Sequence, residues 1–286
     1  MMLYLSSFSF PSAEEENSFF LDERRTCYDT FYPFQILPQC GLCRLDFEPI
    51  TILYGGNGSG KTTILNIIAQ KLQLHRDALY NRSNFFETYT NLCHYEQKAP
   101  ISPDSCIITS DDVFDYMLDL RALNQGIHQK REEMFQKYLE EKYASFQLKS
   151  LEDYQKLKQV NQSRRYSQSQ YTRSQLMDNV REHSNGESAF YYFCHKIQEN
   201  GLYLLDEPEN SLSPQLQQEL VQFLADSARF FGCQLILSTH SPFLLSMKGA
   251  KIYDLDTKPA AVKGWTELSN VRAYYDFFLQ HQNEFN

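Results

Sequence analysis

The chain has 286 residues, of which 42% are hydrophobic and 22% charged, so it fits one large or two small globular domains. Its formal net charge of −9 excludes a surface that is basic all round, as non-specific nucleic-acid binding would require, but allows a local basic patch. No charged stretch typical of a signal peptide starts the sequence, and no apolar run approaches the roughly 18 residues that span a membrane. These features predict a cytoplasmic protein without a membrane segment.

The seven cysteines are odd in number and scattered, which is typical of free thiols. Cys40 and Cys43 form a single Cys-x-x-Cys motif. A tetrahedral zinc site needs four ligands, and no second pair follows at the spacing of a zinc finger. The pattern therefore leaves the role of these two cysteines open.

Alternation and apolar content predict strands near residues 2–10 and 42–54. Residues 11–17, which include three consecutive glutamates, are predicted to be an exposed loop. Residues 62–74 place their apolar side chains at helical spacing directly after a glycine-rich turn, which predicts a helix.

Further along the chain, short buried strands are predicted at residues 106–109, 202–205 and 234–239. Between the first two of these lies a long polar stretch, residues 113–182, with apolar side chains at amphipathic spacing. This stretch contains a single glycine, Gly126, and no proline, so we expect helices with few breaks.

The first motif is a phosphate loop, in which residues 55–62 read Gly-Gly-Asn-Gly-Ser-Gly-Lys-Thr between a predicted strand and a predicted helix. Glycines let backbone N–H groups turn inward around phosphate oxygens, and the helix N-terminus adds partial positive charge. Lys61 is expected to reach the β- and γ-phosphates and Thr62 to offer its hydroxyl to Mg²⁺. The residues assigned to nucleotide binding are Gly55, Gly56, Asn57, Gly58, Ser59, Gly60, Lys61, Thr62 and Thr63.

The second motif is an acidic strand end, Leu-Tyr-Leu-Leu-Asp-Glu at residues 202–207. Parallel sheets bind ligands at the carboxyl ends of their strands, so both carboxylates are expected at that edge. There Asp206 would bind Mg²⁺ through water and Glu207 would polarise the attacking water. An isolated Asp-Glu pair is usually a solvated turn, but Pro208 and the polar stretch after it favour the functional interpretation.

Two further motifs flank this acidic strand. Residues 183–188 read His-Ser-Asn-Gly-Glu-Ser, and such residues suit a helix N-terminus that holds a phosphate, although alone they would be an ordinary cap. Residues 235–242 read Leu-Ile-Leu-Ser-Thr-His-Ser-Pro, a buried strand that ends at His240. Most histidines after a strand are structural, but in this order His240 is a candidate γ-phosphate sensor.

The four motifs, in this order, resemble those of the ABC-type ATPases, and most of all the soluble branch that contains SMC, RecF and OLD-nuclease heads. The resemblance extends over residues 42–75 and 180–256. It implies an α/β P-loop NTPase fold with a mainly parallel sheet, an antiparallel N-terminal β part and an inserted helical subdomain. The single ATPase head would divide into residues 1–112 with the phosphate loop, 113–183 as the helical insertion, and 184–286 with the other motifs.

The resemblance also implies ATP hydrolysis, with ATP and Mg²⁺ as ligands. In such heads two protomers bind head to tail, and each ATP lies between the phosphate loop of one and the signature motif of the other. This assigns catalysis to Glu207 and His240, and the signature that acts in trans to Ser184, Asn185, Gly186 and Glu187.

Other functions fit the motifs less well. A GTPase needs an Asp-x-x-Gly motif, which the sequence lacks. The ATP-binding subunit of an ABC transporter is the main alternative, but its signature usually reads Leu-Ser-Gly-Gly-Gln and its switch histidine is generally followed by an acid. A scaffold that binds ATP without turnover is a third possibility, against which Glu207 and His240 both argue.

One position departs from the family pattern. Where such heads usually carry a glutamine that meets Mg²⁺, this chain reads Ser110-Asp111-Asp112. Asp111 could ligate the metal, or the segment could cap the helix that follows, and the sequence leaves both open.

Residues 152–181 hold six basic and three acidic side chains in an otherwise acidic protein. Together with Tyr166 and Tyr171, these basic residues could bind nucleic acid: Lys156, Lys158, Arg164, Arg165 and Arg173. A solvated helix face or a docking surface for an effector protein such as a nuclease fits equally well. Small stand-alone heads of this kind often act beside a nuclease in bacterial anti-phage defence. The resemblance alone therefore implies such a role for this protein.

Overall fold

A computed structural model of the protein describes residues 2–24, 27–143 and 184–285. The chain forms two compact units, one made of Met1–Phe114 and Asn185–Asn286 and the other of Asp115–Ser184. The basic segment at residues 152–181, and with it the candidate nucleic-acid contacts, lies outside the described residues.

The strands of the first unit are β1 (Leu5–Ser9), β2 (Arg44–Asp46), β3 (Ile50–Tyr54), β4 (His94–Gln97), β5 (Cys106–Ile108), β6 (Leu202–Asp206), β7 (Gln234–Ser238), β8 (Lys251–Asp254) and β9 (Ala261–Val262). The described α-helices are α1 (Ala13–Asp22), α2 (Lys61–Leu72), α3 (Phe86–Leu92), α4 (Ser110–Tyr143), α5 (Asn185–Lys196), α6 (Pro214–Phe230), α7 (Pro242–Leu245) and α8 (Ser269–Gln280). Short 3₁₀ helices span Pro38–Cys40, Trp265–Glu267 and Gln282–Glu284.

A six-stranded sheet forms the centre of the first unit, in the order β5-β6-β7-β3-β8-β9. Its strands run parallel except for β9, which is antiparallel to β8. Strands β3, β6 and β7 are buried at every position, as strands covered on both faces must be. Helix α2 packs across β5, β6 and β7. The predicted α/β fold with a mainly parallel sheet is therefore confirmed.

A separate antiparallel sheet has the order β2-β1-β4 and contains the N-terminal strand. The stretch predicted as strand at residues 42–54 supplies one strand to each sheet, β2 and then β3. Pro49 lies between them and has no N–H group to continue a ladder, while its carbonyl accepts the N–H of Leu235 on β7 at 2.8 Å.

Gln234 joins the two sheets. Its side-chain oxygen accepts the backbone N–H groups of Tyr4 and Leu5, both at 2.8 Å, and its amide nitrogen donates to the carbonyl of Leu5 at 2.8 Å. The residue is fully buried, so these bonds satisfy polar groups that water cannot reach. The side chain of Gln234 thus bonds to the backbone at the start of β1 as a neighbouring strand would.

The prediction of an exposed loop at residues 11–17 is wrong, because α1 begins at Ala13. Ser12 and Glu15 form a capping box: Glu15 N donates to Ser12 Oγ at 3.3 Å, and Ser12 N donates to Glu15 Oε2 at 2.7 Å. Glu16 is buried and accepts the N–H of Gln35 at 2.7 Å. Acidic residues favour the first turn of a helix, so the three glutamates stabilise this helix start.

The helix predicted after the phosphate loop is α2, whose apolar side chains are buried from Ile64 to Ala69. Gln73 caps its C-terminus and adopts the left-handed conformation at φ 53°. Helix α4 begins in the first unit and supplies the described part of the predicted helical block. None of the described helices combines the length and the apolar character that crossing a membrane requires.

Candidate active site

The phosphate loop connects β3 to α2. Gly60 caps the helix at φ 92°, a conformation that residues with a Cβ rarely adopt. At Gly55 a Cβ would come within 2.6 Å of Ser59 Oγ, so the tight turn needs a glycine there. A cavity of about 680 Å³ opens over the loop. Its lining includes Asn57, Gly58, Ser59, Gly60, Lys61, Thr62, Thr63 and Glu207.

Lys61 is buried at the base of this loop. Its ammonium donates to the carbonyls of Gly55 at 2.7 Å and Gly56 at 3.2 Å, and lies 3.0 Å from Nε2 of His240. Burial lowers the pKa of this ammonium, and the neighbouring carboxylates, of which Glu207 has the largest effect, oppose that shift. The side chain of Lys61 is thus held between the turn of the loop and His240.

Glu207 follows β6 in a strained turn, with φ at 49° in a residue that is not glycine. Its N–H donates to the carbonyl of Ser238 at 3.0 Å, which holds the turn against β7. Its carboxylate oxygen Oε1 lies 3.2 Å from Nε2 of His240, and Oε2 accepts from Asn210 Nδ2 at 3.3 Å. Lys61, Glu207 and His240 therefore converge, although three different strands deliver them.

Asp206 ends β6 and is buried, and its carboxylate accepts the hydroxyl of Ser238. Burial raises the pKa of this carboxyl, while its hydrogen bonds with Ser238 and Thr62 act in the opposite direction. Thr62, Asp206 and Asp111 all line a second cavity of about 750 Å³ beside the loop.

These oxygen groups fit Mg²⁺, which is usually held by one or two carboxylates together with substrate phosphates. Among the described residues no cluster of three or more His, Cys, Asp or Glu could hold a metal by itself. The described thiols, those of Cys40 and Cys43 included, are free.

The structure separates the two aspartates that follow β5. Asp112 forms the helix cap, since its Oδ2 accepts Thr109 N at 2.6 Å and its own N–H donates to Thr109 Oγ1 at 3.4 Å. Its other oxygen accepts the N–H of Ala78 at 2.6 Å. Asp111 is exposed and lines the cavity with Thr62. The capping role belongs to Asp112, which leaves Asp111 as a candidate metal ligand.

The predicted signature lies at the start of α5, where Asn185, Gly186 and Glu187 form the first turn and Ser184 precedes it. Gly186 packs closely, because a Cβ there would come 2.9 Å from Leu216 Cδ1 and 3.1 Å from the carbonyl of Ser211. None of the three residues in this turn lines either of the two cavities described above.

Two residues near the phosphate loop lie outside the predicted motifs. Asp256, after β8, accepts the N–H of Gly56 at 2.8 Å and lines the loop cavity. Arg76, after α2, donates to Asn66 and stacks over the ring of Tyr80, with 4.1 Å from its Cζ to the ring centroid. It lines the second cavity beside Thr62. Neither residue stands at a motif spacing, so the sequence carried no signal for them.

Two other residues hold His240 from outside the predicted motifs. Glu209 accepts the backbone N–H of His240 at 2.7 Å, and Asn270 on α8 donates to the carbonyl of His240 at 3.0 Å. Glu209 lies in the acidic string after β6, so its position, though not its role, was visible in the sequence. Asn270 gave no sequence signal.

A protein-family model described as "AAA domain, putative AbiEii toxin, Type IV TA system" matches residues 107–246. Over this part, just under half of its length, the chain is similar to that AAA-domain family. The matched part of the chain contains the predicted signature, the acidic strand end and His240, and the phosphate loop precedes it.

Three solved structures are similar to the chain at low identity and low TM-score. One, "An inward-facing conformation of a putative metal-chelate type ABC transporter", is 18% identical and covers 82% of each chain with a TM-score of 0.39. An Smc head domain from Pyrococcus furiosus, bound to the C-terminal domain of ScpA, is 11% identical over 82% of this chain and 95% of that one, with a TM-score of 0.40. A dimeric ATP-binding cassette bound to ADP and Pi is 12% identical over 78% and 90%, with a TM-score of 0.35. No curated protein matches the chain.

Proposed function

We propose that this protein hydrolyses ATP to ADP and phosphate at the cavity over the phosphate loop. The observation that supports the proposal is the convergence of a cation, a carboxylate and an imidazole: Nε2 of His240 lies 3.0 Å from Lys61 Nζ and 3.2 Å from Glu207 Oε1. Such a set can neutralise phosphate charge, activate a water molecule and contact the γ-phosphate at the same point.

In this proposal the loop holds the triphosphate. The backbone N–H groups of the loop and the N-terminus of α2 surround the phosphates, and Lys61 adds a point charge at the β- and γ-phosphates. Thr62 and Asp206, with Asp111, are the residues that would hold Mg²⁺. When bound, Mg²⁺ supplies further neutralisation of the charge that develops on the phosphates.

Glu207 is the proposed general base. Its carboxylate polarises the attacking water and accepts a proton from it, while His240 beside it senses the γ-phosphate. The strained turn is held against the neighbouring strand by the bond from the N–H of Glu207 to Ser238, and the carboxylate is oriented by its contacts with Asn210 and His240. Binding energy is then used to hold the water in line rather than to order the side chain.

We further propose that two copies bind head to tail and that each ATP lies between them. Ser184, Asn185, Gly186 and Glu187 of one protomer would contact the γ-phosphate bound to Lys61 of the other. The position of the signature at the start of a helix supports this, since a helix N-terminus favours an anion. We place this switch in the cytoplasm, where it would control a nuclease or a nucleic-acid complex, as in anti-phage defence.

The deciding variant is Glu207→Gln. The amide keeps the size of the side chain but cannot accept the proton of water, so phosphate release should fall at least about 100-fold while ATP binding remains. Glu219→Gln, on the exposed face of α6, is the matched control. Equal rates of phosphate release in Glu207→Gln and the unaltered protein would refute the assignment of Glu207.

The same variant tests the dimer. Because it holds ATP without turnover, light scattering should show a larger mass with ATP than with ADP or without nucleotide. A mass that is independent of ATP under all conditions argues against the head-to-tail arrangement. A pull-down from native cells then identifies the effector, and co-purification with a membrane protein would support the transporter alternative instead.

A further inference from the structure

The loop that carries the switch histidine, residues 239–241, is held by one carboxylate oxygen. Oε1 of Glu209 accepts the hydroxyl of Thr239 at 2.7 Å, the N–H of His240 at 2.7 Å and the N–H of Ser241 at 3.1 Å. Hydrogen bonds to an ionised acceptor are stronger than neutral ones. On the opposite side, Asn270 Nδ2 donates to the carbonyl of His240 at 3.0 Å. The peptide groups on both sides of the histidine are therefore fixed.

Glu209 belongs to the same turn as Glu207. The N–H of Asn210 donates to the carbonyl of Glu207 at 3.1 Å, and the N–H of Leu212 donates to the carbonyl of Glu209 at 3.0 Å. A single turn thus carries the proposed general base and the carboxylate that holds the histidine loop. The turn thus connects the end of β6 to the loop after β7, next to Glu207 and His240.

Burying the carboxylate of Glu209 at this position costs free energy. Burial raises the pKa of its carboxyl, and the hydrogen bonds from the histidine loop oppose that shift. Its second oxygen is buried without a hydrogen-bond partner in the described part of the chain. A buried acid of this kind is a poor source of stability, which favours a role in positioning over a role in folding.

We propose that Glu209 is a positioning residue for the ATPase reaction: it fixes the imidazole of His240 opposite Glu207 and Lys61. This rests on the proposed function. Its carboxylate accepts hydrogen bonds from residues 239–241, so it would act on the reaction through His240. Asn270 completes the hold from α8.

The first experiment separates turnover from binding. Glu209→Ala should lower kcat by about 10- to 100-fold, since small displacements of a reacting group have effects of that size, while the ATP dissociation constant changes by less than about twofold. Glu209→Gln should recover most of the loss, because its amide oxygen can accept the same three bonds. Glu219→Ala on the exposed face of α6 is the control, and urea unfolding shows that each variant is folded.

A double-mutant cycle then asks whether Glu209 acts through the histidine. In a His240→Ala background, Glu209→Ala should lower kcat no further, because the group that it positions is gone. Three results would overturn the inference: independent losses that multiply, a normal kcat in Glu209→Ala, or a loss confined to ATP affinity.

The two proposals can fail separately. If the unaltered protein does not hydrolyse ATP, the proposed function fails, and the position of His240 is followed instead by the NMR signal of its imidazole, assigned by its disappearance in His240→Ala. Glu209→Ala should shift that signal and Glu219→Ala should not. An unchanged imidazole signal in Glu209→Ala overturns the positioning role whatever the turnover of the protein.

Discussion

The ammonium nitrogen of Lys61 lies 3.0 Å from Nε2 of His240, although 179 positions separate the two residues in the sequence. The parallel sheet explains the distance. Strands β3 and β7 are direct neighbours and run the same way, so the loop after one and the residues after the other emerge at one edge. Glu207 reaches the same point from β6, on the far side of β7.

Lys61→Met should weaken ATP binding about 10- to 100-fold. The substitution keeps a long apolar stem in the buried site but removes the charge, and a hydrogen bond to a charged group contributes roughly 1.5–3 kcal/mol. Titration with a fluorescent ATP analogue measures the effect. Lys71→Met, in the last turn of the same helix, is the control and should bind as the unaltered protein does. An unchanged affinity in Lys61→Met would remove Lys61 from the phosphate site.

Chelation of divalent ions should abolish phosphate release, and excess Mg²⁺ should restore it, because the site offers only oxygen ligands beside the phosphates. Asp206→Asn should lower the rate at least about 100-fold at saturating Mg²⁺, since it removes the buried charge that faces the metal. Asp111→Asn is the informative variant. A higher Mg²⁺ concentration for half-maximal rate identifies Asp111 as a ligand, and an unchanged Mg²⁺ dependence excludes it. Asp115→Asn, an exposed position in α4, is its control.

The local motifs could be predicted from the sequence because each is contained within a few consecutive residues. The phosphate loop, the acidic end of β6 and the strand before His240 all carry their signal in composition and order. The contacts of Asp256 with Gly56 and of Asn270 with His240 could not be predicted, since only the tertiary structure brings these residues together. At α1 the sequence did contain the answer, a Ser12–Glu15 capping box, but the run of glutamates suggested a loop.

Gln234→Met should destabilise the fold by about 3 kcal/mol or more. It preserves the volume of the side chain but leaves the N–H groups of Tyr4 and Leu5 and the carbonyl of Leu5 without these partners, and each unsatisfied buried group costs about 1–3 kcal/mol. Urea unfolding measures the free energy of unfolding. Gln218→Met, exposed on α6, should change it by less than about 0.5 kcal/mol. Equal stabilities of the two variants would show that Gln234 does not join the sheets energetically.

The last prediction concerns the basic segment at residues 152–181. If it binds nucleic acid, the double charge reversal Arg164→Glu with Arg165→Glu should abolish binding, because both phosphate contacts become repulsive. The affinity of the unaltered protein should also fall steeply as salt rises, since each phosphate contact releases counterions. Fluorescence anisotropy with a labelled single strand measures both effects, and thermal melting shows that the variant is folded. A salt-insensitive affinity, or one that survives the charge reversal, excludes this segment as a nucleic-acid site.

The same variant in the pull-down then distinguishes the two remaining interpretations, because a docking face would lose its protein partner and a solvated face would not. We expect the loss of a protein partner, since a net charge of −9 weakens unaided binding to a polyanion.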